Sequence, residues 1–252
     1  MTPWARMAMA GVILAALAAC TGPEAELARE QSAQSHYDIG LGALAENNLS
    51  KAINEFRIAV EENPRNAHNH HALGNALLRN QQLDEAIQAL RRAVELQPRL
   101  SDAFNDLGAA YIRKQMWDLA IDAFRKALTN PQYLNPERAY LNLGNIYYIR
   151  GQYEQAAEEF RRLLDVVPQS PDGYFFLGRT LLAQGKLEEA REKLEQAIKL
   201  EGTIPIFHFE MGVTLLRMGR RAEARESFRK AVDINPAGPE AQEARRYLRE
   251  LN

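Results

Sequence analysis

Apolar and polar positions along this chain follow the period of a helix, and the pattern restarts six times. The stretches YDIGLGAL, HALGNALL, NDLGAAYI, LNLGNIYY, FFLGRTLL and FEMGVTLL are versions of one another, aligned on Gly40, Gly74, Gly108, Gly144, Gly178 and Gly212. The intervals between these glycines are 34, 34, 36, 34 and 34 residues. Twelve residues after each lies an alanine, namely Ala52, Ala86, Ala120, Ala156, Ala190 and Ala224. Four residues later comes Phe56, Leu90, Phe124, Phe160, Leu194 or Phe228, and Pro64, Pro98, Pro168 and Pro236 close four of the six units. Each unit therefore predicts two amphipathic helices, with Gly and Ala letting backbones approach where they cross and Pro stopping the second. Asn47, Gly151, Gly185 and Gly219 suit the left-handed residue between the two helices. Ser50, Asp84 and Asp118 are expected to cap the second helix.

A 34-residue helical pair resembles the tetratricopeptide repeat. The likeness covers roughly residues 33–238. It implies an all-α fold, a right-handed superhelical solenoid of six units at 33–66, 67–100, 101–136, 137–170, 171–204 and 205–238. A further helix over 239–252, with Ala241, Ala244, Leu248 and Leu251 on one face, is expected to cap the last unit. Residues 21–32 are expected to form a polar tether, reaching about 40 Å if extended.

The start of the chain is different. Arg6 precedes an oily run, Met7 to Ala19, too short for the roughly 20 residues that cross a bilayer as a helix. Residues 1–19 read as a secretory signal peptide that is removed on export. Ala16-Leu17-Ala18 offers an ordinary A-x-A cleavage site. Leu17-Ala18-Ala19-Cys20 offers the bacterial lipobox, in which Cys20 becomes the lipidated first residue of the mature protein. The placement of Cys20 directly after the oily run favours the lipobox, and the lone cysteine is then a membrane tether. Thr21 rather than Asp after it resembles lipoproteins passed to the outer membrane, with the repeats facing the periplasm. A tether of residues 20–32 would then precede the repeats.

Charge adds little. The chain holds 31 basic and 33 acidic side chains, which gives no basic face for nucleic acid. One cysteine excludes an intramolecular disulfide. GLGALA at 40–45 satisfies a dinucleotide-binding spacing, but no strand precedes it. His36, His70 and His208 share one slot, four residues before the repeat Gly, and read as packing residues. His68 and His71 lie three apart, without the Cys or carboxylate that would complete a metal site. No catalytic motif, cofactor site or metal site emerges, so the chain reads as a binding protein and a monomer rather than an enzyme.

The repeat resemblance places groove-facing residues three before, one after and four after each Gly. These are His71, Asn75 and Leu78, then Asn105, Ala109 and Ile112, then Leu141, Asn145 and Tyr148. Phe175, Arg179 and Leu182 follow, and then Phe209, Val213 and Leu216, so the groove turns more apolar towards the C-terminus. Packing between repeats competes with exposure at Leu78, Leu182 and Leu216. Phe175 and Phe209 are the expected aromatic anchors for a partner.

ALTNPQYLNPERAYLNLG, at 127–144, contains the two extra residues of the third interval. It is similar to the matching junction of the type IV pilus pilotin lipoproteins, the PilF/PilW/Tgl group, at Asn130-Pro131, Tyr133, Pro136-Glu137 and Ala139-Tyr140. Leu134-Asn135 departs from that group's usual Thr before the proline. The resemblance implies a non-enzymatic assembly factor. Its partner would be the outer-membrane secretin, which it would help to reach the membrane and form multimers. The rival reading is an outer-membrane repeat lipoprotein that scaffolds peptidoglycan synthesis or outer-membrane protein assembly.

Overall fold

A computed structural model describes residues 22–251. Among them are thirteen helices and no strand. In chain order these are α1 Pro23–Ala45, α2 Leu49–Glu62, α3 Ala67–Arg79, α4 Leu83–Leu96, α5 Ser101–Arg113, α6 Trp117–Leu128 and α7 Pro136–Ile149. The rest are α8 Tyr153–Val166, α9 Pro171–Ala183, α10 Leu187–Leu200, α11 Pro205–Arg217, α12 Arg221–Ile234 and α13 Pro239–Glu250. The described residues divide into two compact units, which meet in sequence between Asn130 and Pro131. The division falls in the segment that carries the two extra residues. The first unit holds the hairpins α1/α2, α3/α4 and α5/α6; the second holds α7/α8, α9/α10, α11/α12 and the single helix α13.

Every hairpin is locked by the same contact. A Cβ placed on Gly40 would lie 2.5 Å from the Phe56 ring, and one on Gly108 would lie 2.7 Å from that of Phe124. Gly144 meets Phe160 and Gly212 meets Phe228 in the same way, while Gly74 and Gly178 receive leucines, Leu90 and Leu194. The space left by each glycine is thus filled by the large residue sixteen positions on, in the second helix. The six large residues are completely buried, as are the alanines from Ala52 to Ala224 four positions before them.

The turns between the paired helices share a second device. The amide of Asn48 donates to the Ala43 carbonyl and that of Asn47 to Leu44, the nested pair of a Schellman motif. Equivalent pairs join Gln82 to Leu77 and Gln81 to Leu78, and Met116 to Tyr111 and Gln115 to Ile112. In the second unit Gln152, Lys186 and Arg220 donate to Tyr147, Leu181 and Leu215. The left-handed residue is the expected Asn47, Gly151, Gly185 or Gly219, but also Gln81 and Gln115, at φ 63° and 58°.

This motif corrects the expected N-caps. The outer residue of the Schellman pair is itself the N-cap of the second helix, so Ser50, Asp84 and Asp118 fall inside the first helical turn. Of the six N-caps at these turns only Asn48 makes a side-chain capping bond, accepting from the Lys51 amide. Asp84 instead pairs with Lys114, and the acids near these helix starts face the positive end of the helix dipole.

Residues 23–32 are a second correction. They are not an extended tether but the first turns of α1, with Pro23 opening the helix and Glu24 and Glu26 in its first turn. Ala, Leu, Arg, Glu and Gln are strong helix formers, so polarity here marks a solvated helix. Ten such residues span roughly 15 Å. The expected signal peptide and Cys20 lie outside the described residues, and no described helix is long and apolar enough to cross a membrane.

At the other end, α13 lays Ala241 and Ala244 into the core, with Leu251 buried beyond its last turn. Tyr247 stacks on Phe228 with ring centroids 4.9 Å apart and planes within 4°. Arg225 of α12 donates to the Leu251 carbonyl.

Candidate functional site

The first helices of the repeats carry the predicted groove residues, and each unit presents its own set. In the second unit these helices are α7, α9 and α11. Leu141, Asn145 and Tyr148 of α7 are half-buried, as are Arg179 of α9 and Phe209, Val213 and Leu216 of α11. Leu182 is buried.

Phe175 corrects the expected aromatic stripe. It is only 5% exposed and stacks on Phe207 at 4.8 Å, edge-on to Phe176 at 5.1 Å. It belongs to the core with Met211, Leu215 and Phe228. A large residue in this slot is taken up by the neighbouring first helix, so it joins the packing instead of facing solvent. Phe209 is partly covered in the same manner, between Phe228 at 5.7 Å and Tyr247 at 6.1 Å.

Beside the half-buried Leu141, Val213 and Leu216 stands a polar and aromatic cluster. The Arg179 guanidinium lies over the Tyr148 ring, 4.7 Å from its centroid. Its Nε is 3.6 Å from the Glu210 carboxylate, a distance of attraction rather than of a good hydrogen bond. Tyr148 also meets Tyr153 edge-on at 5.4 Å. Burial pushes the Glu210 carboxyl up from the ordinary carboxylate range, and the Arg179 charge only partly opposes this. Three successive first helices thus place Tyr148, Arg179 and Glu210 together. Glu210 was not singled out in the sequence, because its slot, two before the repeat Gly, holds Asp38, Ala72, Asp106, Asn142 and Phe176 in the other units.

The first unit presents a different face on α3 and α5. Asp106 is buried and accepts from Asn75 Nδ2 at 2.8 Å, and His71 Nε2 lies 3.0 Å from the same oxygen. Asn105 is 1% exposed, and its Oδ1 has no hydrogen-bond partner. Leu78 is buried, while Ala109 and Ile112 are half-buried. His71 and Asn75 of repeat two therefore join repeat three through Asp106.

The remaining histidines divide by role. His70 and His208 are buried and bond the loop carbonyls of Pro64, at 3.0 Å, and Gly202, at 2.9 Å. His36 bonds Glu55 at 2.7 Å. His68 is exposed and His71 is committed to Asp106. Among the described residues, no three His, Cys, Asp or Glu side chains are arranged to hold a metal ion.

Comparisons with known proteins agree with this architecture. A family model described as tetratricopeptide repeat matches residues 37–100, 71–135, 105–174, 141–202, 177–239 and 209–248. Among curated proteins none matches the chain. The solved structure of PilF from Pseudomonas aeruginosa is similar at a TM-score of 0.75 and 20% identity, covering 87% of this chain and 99% of that one. PilW, described as a widely conserved type IV pilus biogenesis factor, is similar at 0.75 and 20%, covering 84% and 98%. YrrB, a repeat protein with an unusual peptide-binding site, is similar at 0.64 and 26%, covering 76% and 97%.

Proposed function

Because this chain belongs to the tetratricopeptide-repeat family, we propose that it is a non-catalytic assembly factor of the type IV pilus. In this reading Cys20 is lipidated and holds the protein to the outer membrane, with the repeats in the periplasm. The repeat domain binds secretin subunits, carries them to the membrane and promotes their multimerisation. The fold likeness to PilF and PilW over nearly the whole length of all three chains supports this reading, as does the junction at residues 127–144.

The observation that carries the binding role is the Tyr148–Arg179–Glu210 cluster. Tyr and Arg are among the residue types that dominate interface energetics, and here the Arg179 guanidinium lies over the Tyr148 ring. Leu141, Asn145 and Val213 surround them on the same three helices. Phe175 and Phe209 contribute rigidity beneath the site, since Phe175 is core and Phe209 is wedged under α13.

A photo-crosslinking residue at Tyr148, installed in the full chain in cells, tests the contact. The secretin subunit is expected in the crosslinked product. Its absence there, with efficient crosslinks to other proteins, contradicts the assignment.

A further inference from the structure

The repeats offer an internal control at a place the groove does not use. Between consecutive second helices, on the side away from the groove, the first unit has two equivalent notches. One lies between α2 and α4, over Leu73 and Leu77 of α3, with Arg57 and Glu85 at its rim. The other, of about 340 Å³, lies between α4 and α6 over Phe104, Leu107 and Tyr111 of α5. Those three residues point roughly 130° around α5 from its groove positions Asn105, Ala109 and Ile112.

The two notches differ in one pairing. Arg57 donates to Glu85 at 2.5 Å. Arg91 stands in the place of Arg57 one repeat later, and Leu119 in the place of Glu85. Across the six units this slot reads Lys51, Glu85, Leu119, Gln155, Glu189 and Glu223, so Leu119 is its one apolar occupant. Among the described residues, Arg91 consequently has no carboxylate within ion-pair distance. Its Nε donates to the Tyr111 hydroxyl at 2.9 Å and its guanidinium leans over that ring, at 5.8 Å. Among the described residues, its terminal nitrogens have no acceptor. The nearby acids are already engaged, Glu95 with Arg92 and Asp122 with Lys126. Leu119, 40% exposed, adds an apolar wall beside this cation.

A positioned guanidinium beside an apolar floor is a receptor for a carboxylate carried next to an apolar side chain. We propose that the α4/α5/α6 notch is a second protein-binding site, distinct from the groove. It takes a partner segment in which a Glu or Asp adjoins a large apolar residue. The apolar side chain lies over Leu107, Tyr111 and Leu119, and the carboxylate accepts from the terminal nitrogens of Arg91.

The test uses the full chain, methyl-labelled in detergent micelles, and two capped peptides, acetyl-Ala-Phe-Glu-Ala-amide and its Gln counterpart. The Glu peptide is expected to shift the methyl resonances of Leu107, Leu119 and Ala123, and to bind roughly tenfold more tightly than the Gln peptide. R91Q removes that preference. L119E also removes it, by supplying Arg91 with the pairing that Arg57 already has; an acid is the usual occupant of this exposed slot, so the fold is retained. The proposal is overturned if the peptides bind equally, if the preference survives in R91Q or L119E, or if neither peptide moves these methyls at about 10 mM.

Discussion

One glycine of α1 and one of α7 separate packing from backbone freedom. Gly144 faces the Phe160 ring so closely that even one methyl forces a shift, whereas a Cβ on Gly42 meets nothing within 4 Å. Gly144→Ala is therefore expected to destabilise the second unit by about 1–3 kcal/mol. Gly42→Ala, gaining helix propensity in open space, is expected to stabilise the first by about 0.5–1 kcal/mol. Thermal and urea unfolding of both variants check the pair. Glu210 gives a residue-scale prediction in pH. Its carboxyl is raised by burial, so the folded state favours the protonated form. That contribution to stability is present at low pH and is lost as the pH rises through the raised value. Glu210→Gln is thus expected to raise the melting temperature at neutral pH, with the gain shrinking as the pH is lowered through the carboxylate range. An unchanged or larger gain at low pH contradicts this assignment.

The helical hairpin was legible in the sequence because the repeat glycine, the alanine twelve residues on and the large residue after it recur six times. Its turns were legible only in part. Asn47, Gly151, Gly185 and Gly219 announce a left-handed residue, but Gln81 and Gln115 do not, since an L side chain normally avoids that conformation. The Schellman bonds hold these two glutamines there regardless. Gln81→Gly and Gln115→Gly are each expected to stabilise by about 0.5–1 kcal/mol, and Gly151→Ala to destabilise by about 1 kcal/mol, in chemical denaturation. The N-caps misread in the sequence have the same origin: the outer residue of each turn is itself the N-cap, so Ser50, Asp84 and Asp118, two residues further on, already lie inside the first helical turn. Residues 23–32 were misread because polarity resembles a linker, whereas their helix propensity extends α1. The groove was legible as a set of positions and not as a surface. Phe175 fits the anchor slot by number, but its ring is consumed by Phe207 and Phe176, and Glu210, which completes the accessible cluster, follows no repeat pattern.

At the scale of the whole molecule, the proposed function joins a lipid anchor to a binding scaffold. Cys20→Ala is expected to move the protein from the membrane fraction to the soluble periplasmic fraction without loss of helicity, because Cys20 precedes every helix of the repeat domain. Palmitate labelling and fractionation check both points. The internal repeat also explains why the two proposed contact sites differ. Each slot is free to vary once the Gly–Phe or Gly–Leu lock is kept, and Arg179 and Leu119 are such variations. Truncating Tyr148 and Arg179 together is expected to weaken partner capture roughly thirtyfold while the circular dichroism spectrum stays helical. The most direct measurement of the central claim is the level of heat- and detergent-resistant secretin multimers in a strain lacking this chain. The account predicts that multimers are lost on deletion, restored by the wild-type chain and not restored by the Tyr148→Ala, Arg179→Ala variant expressed at the same level. Normal multimers in the deletion strain contradict the assembly role, and full restoration by the double variant contradicts the site.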